Sequence, residues 1–217
     1  MAMILLIFLL SFLWAQKYYY QTSLVLIILA CLPFFARFEY KDNKAEEIVL
    51  VAIMAAVASV SRVPFAALPG GVQPVSFLVM VTASVFGPET GFMTGAAAAL
   101  VSNIFLGQGP WTPWQIFSWG MIGLASGALR KTPFMRLWPL RIILGFAFGF
   151  LFGIIMDIWT VLNLGENLNF STWFVYFQAA FIFNLAHAIS NVVFLALFFA
   201  PLEKILGRIK KKYGLAE

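Results

Sequence analysis

The chain reads as an all-α integral membrane protein, with a six-helix transmembrane core and an additional N-terminal apolar hairpin. Three observations predict this class. Hydrophobic residues make up 62% of the 217 residues and charged residues only 11%, with a mean hydropathy of +0.93. Several apolar runs approach or reach the roughly 17–25 residues that span a bilayer as a helix. The basic residues fall into clusters separated by long apolar stretches, as in a multipass topology. A soluble domain could not hide this much apolar surface, and the length fits one helical bundle better than two domains.

Taken in order, apolar runs at about 3–15 and 22–36 form the hairpin, within an N-terminal extension of residues 1–40. The first run is short for a full span. Met1-Ala2-Met3 supplies no basic leader and no small-residue cleavage site follows, so a signal peptide is not expected. Core helices are predicted at about 45–61, 74–86, 89–103, 113–129, 138–162 and 172–200, within a core of 41–203. Segments 74–86 and 89–103 are short alone. Gly87-Pro88 makes a tight connection between them, because Gly suits a helix end and Pro cannot continue one. Small residues four apart, Gly91/Gly95/Ala99 and Gly145/Gly149/Gly153, predict close backbone contact between helices. A basic tail, 204–217, follows.

The charge map sets the expected orientation. Arg37, Lys41 and Lys44 precede the first core helix. Arg130, Lys131, Arg136 and Arg141 surround the fourth connection. Lys204, Arg208, Lys210, Lys211 and Lys212 follow the last helix. With six crossings, these 12 of the 14 Lys and Arg residues share one side, leaving Lys17 and Arg62 for the other. That side is expected to be cytoplasmic, with both chain ends there, in a multi-pass protein of the cell membrane. Segments 62–73, 103–112 and 163–171 become extracellular loops, the connections richest in Gly, Pro, Asn, Gln and Trp. The net charge of +5 therefore describes topology and lipid contact, not nucleic-acid binding. The single Cys31 excludes an internal disulfide and fits apolar packing.

The stretch from Ser102 to Gln115 concentrates amides, glycines, prolines and two tryptophans. Thr112, Pro113 and Gln115 resemble a helix start, with Thr112 as N-cap and Gln115 closing a capping box. Trp111 and Trp114 suit either interfacial anchoring or ligand contact. Gln108, between two glycines that permit close backbone approach, has no comparable structural excuse. Asn103 sits where helix capping competes with ligand contact. Asn184, His187 and Asn191 share one face of the last helix, where polar groups either bond neighbouring helices or line a cavity. Asp157 lies inside an apolar helix, with Arg62 as a possible structural partner. Ala52 and Ala56 form a smooth strip for internal packing or for docking another subunit. One histidine and one cysteine give no basis for a metal site. No Walker phosphate loop, HExxH or GxSxG motif is present, so the chain is not expected to be an enzyme or to hydrolyse ATP itself.

Taken together, these features resemble the substrate-binding S-components of energy-coupling factor (ECF) vitamin transporters. The resemblance covers about residues 45–200, and its closer form is to the S-components for cobalamin. It rests on Val72-Gln73-Pro74-Val75, Gly87-Pro88-Glu89-Thr90-Gly91-Phe92, the Ser102–Gln115 stretch and His187-Ala188-Ile189-Ser190-Asn191. It implies no intrinsic cofactor, cobalamin as transported ligand, and an ECF module of one transmembrane coupling subunit and two ATPase subunits as partners. Ala52 and Ala56 would dock the coupling subunit. Trp111, Trp114 and Trp119 would cover corrin faces, and Gln73, Asn103, Gln108 and Asn184 would pair with its amides. Arg62, Gln115, Asp157, His187 and Asn191 complete the candidate substrate-binding set. An S-component for another vitamin, and a non-transport membrane enzyme built on His187 and Asp157, are the alternatives.

Overall fold

A computed structural model describes residues 19–40, 45–68, 71–163 and 169–215. Among these residues the chain forms eight helices and no strand. They are α1 (Tyr19–Tyr40), α2 (Ala45–Phe65), α3 (Val75–Phe86), α4 (Pro88–Leu106), α5 (Thr112–Ala128), the single-turn α6 (Pro133–Arg136), α7 (Trp138–Asn163) and α8 (Phe170–Tyr213). By length and composition α2, α7 and α8 can each cross a membrane, whereas α3 is apolar but shorter. The predicted run at 3–15 lies outside the described residues. The run at 22–36 falls within the longer α1.

Helix α3 can be short because it is the axis of the bundle. It packs against α2, α4, α5, α7 and α8, and Val75, Val79, Met80, Val81 and Ala83 are completely buried. Gly87 has φ +107, a left-handed value that favours glycine. Pro88 then opens α4, where its missing N–H costs nothing. The chain thus reverses in one residue.

Two helix pairs frame α3. In the α4–α5 pair, an added Cβ on Gly91 or Gly95 would strike the α5 backbone at Gly123 or Trp119, and one on Gly127 would strike Pro88. In the α7–α8 pair, Gly149 lies against the backbone of Ala188, Gly145 against Leu195 and Gly153 against Asn184. The small-residue stripes therefore do what their spacing predicted. Lipid tails are as apolar as leucine, so such close packing must supply much of the association energy.

Helix α8 begins on Asn169, whose side-chain Oδ1 accepts from the Thr172 backbone N–H at 2.9 Å. It runs past the expected end at 200 and carries the basic residues 204–212 as helix. Leu206 is buried there, and Lys210 Nζ donates to the Val85 carbonyl at 2.9 Å, near the end of α3. The lysines of the last turn also complement the helix dipole. Helix α1 packs on α4, α5 and α7. Phe34 stacks on Phe92 at 4.6 Å, and Arg37 Nε meets Glu89 Oε1 at 2.6 Å.

Candidate functional site

Three sets of polar residues lie between the helices. The first joins α2, α4 and the start of α5. Arg62 Nη1 donates to Ser102 Oγ at 2.8 Å and to Asn103 Oδ1 at 2.9 Å. Asn103 Nδ2 donates in turn to Thr112 Oγ1 at 2.9 Å and to Gln115 Oε1 at 2.7 Å. The Thr112 hydroxyl donates to Gln108 Oε1 at 3.0 Å and accepts weakly from the Gly109 N–H. Gln108 Nε2 closes the set on the Leu100 carbonyl. Residues 107–111 are thereby tied back onto α4.

These bonds revise the expected helix start. Helix α5 follows Trp111, no side chain caps it, and Thr112 is already its first residue. The capping box does not form because Thr112 and Gln115 both turn to Asn103. Asn103 is not a cap either, since its side chain leaves the helix for Arg62 and α5. Gln108, expected to be free for a ligand, is exposed but uses both ends of its amide on the protein.

The second set is centred on Trp119, which is fully buried. Its ring stacks on Phe152 at 4.7 Å, and the Arg62 guanidinium lies 5.1 Å from its centroid. Trp119 Nε1 donates to Ser76 Oγ at 3.2 Å, and Ser76 Oγ lies 3.2 Å from His187 Nε2. His187 Nδ1 lies 2.8 Å from the Gly71 carbonyl. An indole N–H only donates and a carbonyl only accepts. The partners thus assign the imidazole proton to Nδ1, with the Ser76 hydroxyl donating to Nε2. Both ring nitrogens are engaged, so His187 ties residue 71 to α8, and in this arrangement neither nitrogen is open to a corrin metal. Nearby, the Gln73 backbone N–H reaches Ser190 Oγ at 3.5 Å, and the Gln73 side chain is buried.

The third set lies between α7 and α8, with Trp111 just before α5 and Trp114 within it. Asn184 Nδ2 donates to Asp157 Oδ2 at 2.6 Å. The conceivable Arg62–Asp157 pair does not form, because each residue is held by other partners. Asn191 Nδ2 donates to the Gly145 carbonyl at 2.6 Å. Trp111 meets Trp159 edge to face at 5.8 Å. What distinguishes this set is incompleteness. The buried indole N–H groups of Trp114 and Trp159, and the buried Oδ1 atoms of Asn184 and Asn191, have no hydrogen-bond partner. Each such orphan costs about 1–3 kcal/mol.

Sequence reasoning missed Gly71, Ser76, Phe152 and Trp159. Serine in an apolar helix reads as packing, and no sequence spacing points from Ser76 to His187. On the opposite side of α2, Ala52 and Ala56 are exposed among Ile48, Val49, Ile53, Val57 and Val60.

A 29% identical UPF0397 protein of Vibrio atlanticus (strain LGP32) aligns over 87 residues, 38% of this chain and 47% of the relative. A UPF0397 protein of Aliivibrio fischeri (strain MJ11) is 28% identical over the same length and shares. The chain thus spans about half the length of these relatives. No solved structure matches. The family described as "ECF-type riboflavin transporter, S component" matches residues 42–208, which takes in α2 to α7 and most of α8 but not α1. That family is one of transporter subunits, not of enzymes. The chain belongs to this family.

Proposed function

We propose that this chain is the high-affinity capture subunit of an ECF vitamin importer, and that its ligand is cobalamin or a related corrinoid. The observation that carries the reading is the set of orphaned polar atoms on Trp114, Trp159 and Asn184. Two buried indole donors, one of them on the Trp159 ring that meets Trp111 edge to face, and a buried amide oxygen suit a ligand with apolar faces and an amide fringe. The Ser102–Gln115 stretch that carries the resemblance to cobalamin-type S-components supplies two of those tryptophans.

In this account six helices span the membrane, and the polar loops face outward. The ligand enters at that face. The loaded protein docks on the transmembrane coupling subunit through the exposed Ala52–Ala56 strip of α2. ATP hydrolysis in the two ATPase subunits then reorients it, and the vitamin leaves toward the cytoplasm. Replacing Ala56 with Trp is expected to abolish uptake in cells while leaving vitamin binding by the purified protein unchanged. Loss of binding would instead make the strip part of the protein's own packing.

A flavin is the second reading, favoured by the description of the matching family. Thermal-shift titration of the purified chain with cobalamin, cobinamide and riboflavin separates the two. Stabilisation by corrinoids at submicromolar concentration, near −8 kcal/mol of binding free energy or better, is the expected result. Stabilisation by riboflavin alone would transfer the site to a flavin.

A further inference from the structure

We infer that Arg62 is an anion anchor, which receives a phosphate or phosphodiester group of the captured ligand. The inference rests on the capture function proposed above and adds a charged subsite to it. The guanidinium has five N–H donors and is always cationic. In this structure Nη1 spends its donors on Ser102 and Asn103, both neutral. The third neighbour is the face of Trp119, which attracts a cation but neutralises nothing. Among the described residues no carboxylate pairs with Arg62, and none accepts from Nε or Nη2. Asp157, the acid of the membrane-spanning α7, is held by Asn184 instead.

A half-buried cation surrounded only by neutral groups is expensive unless something anionic completes it. The Nη1 bonds fix the plane of the guanidinium. The Nε and Nη2 edge then presents parallel N–H groups in the fork that matches an oxyanion. Of the ligands considered, cobalamin carries a phosphodiester and cobinamide does not. Riboflavin lacks a phosphate and its phosphorylated form, FMN, has one. These two pairs isolate the anion from the rest of the ligand.

The test is equilibrium binding of all four compounds to the full chain and to its Arg62→Gln and Arg62→Lys variants, with melting temperature recorded for each. The wild-type chain is expected to prefer the phosphate-bearing member of the pair it binds by about tenfold to a hundredfold, the range of a charge-assisted contact. Arg62→Gln should erase that preference, lowering affinity for the phosphate-bearing member at least about tenfold more than for the phosphate-free one. Arg62→Lys, which keeps a point charge but loses the fork, should retain part of it. Equal wild-type affinity within a pair overturns the anchor and leaves the importer reading intact. So does an Arg62→Gln variant that weakens both members alike, since that marks a structural role. An Arg62-dependent preference confined to FMN over riboflavin overturns the corrinoid ligand and upholds the anchor. Binding of none of the four removes both.

Discussion

The network around Asn103 and the set around Asn184 and Trp159 handle their buried polar groups in opposite ways. On the α4–α5 side, Arg62 Nη1, Ser102, Asn103, Gln108, Thr112 and Gln115 form one connected network. On the α7–α8 side, Asn184, Asn191, Trp159 and the neighbouring Trp114 each leave a buried donor or acceptor unmet. A satisfied network rigidifies its surroundings, whereas an unsatisfied group stores a cost that a ligand can relieve. The loop most conspicuous in the sequence is therefore mainly frame. In the function proposed here the reader is the less conspicuous helical wall behind it, together with the tryptophans the loop delivers.

The largest effect is expected from breaking the frame. Asn103→Ala removes the amide that joins Arg62 to Thr112 and Gln115 and leaves their groups buried. A loss of about 3 kcal/mol is expected, read from reversible unfolding in detergent. A loss below about 1 kcal/mol would mean that the network is not what holds α4 to α5.

The next effect falls on the other side and has a different character. Removing the orphan N–H groups, with Trp114→Phe and Trp159→Phe together, should weaken vitamin binding by about tenfold or more. Folding stability should stay within about 2 kcal/mol, because the cavity cost of two smaller rings is offset by the relief of two orphaned N–H groups. A collapse of stability with unchanged affinity would reverse the assignment of frame and reader. Thr112→Val, which deletes one hydroxyl from the frame, should cost about 1 kcal/mol and leave affinity alone. Smallest of all, Gln108→Ala should cost about 0.5 kcal/mol, since the side chain is exposed. A large loss of affinity in that variant would restore Gln108 as a ligand contact.

The division between frame and reader was only partly visible in the sequence. Helix positions followed from local signals. Gly87-Pro88 fixed the reversal after α3, and the four-residue glycine spacing marked the close contacts of α4 with α5 and of α7 with α8. The shared face of Asn184, His187 and Asn191 was also legible, because helical period alone sets it. The bonds those residues make were not. Whether Thr112 caps its own helix or turns to Asn103 depends on α4 lying beside it. Gln108 reads as free until the chain folds back to Leu100. The proton position on His187 is decided by Ser76 and Gly71, more than a hundred residues earlier in the chain. An orphan is harder still to foresee, since it is defined by a partner that is missing.

The central claim is that unmet groups at Trp114 and Trp159 read the vitamin. Equilibrium dialysis of cobalamin against the full chain and its Trp114→Phe/Trp159→Phe variant tests it most directly. The account predicts submicromolar binding by the wild-type chain, weakened about tenfold or more in a variant that melts at nearly the same temperature. Wild-type affinity in that variant would contradict it.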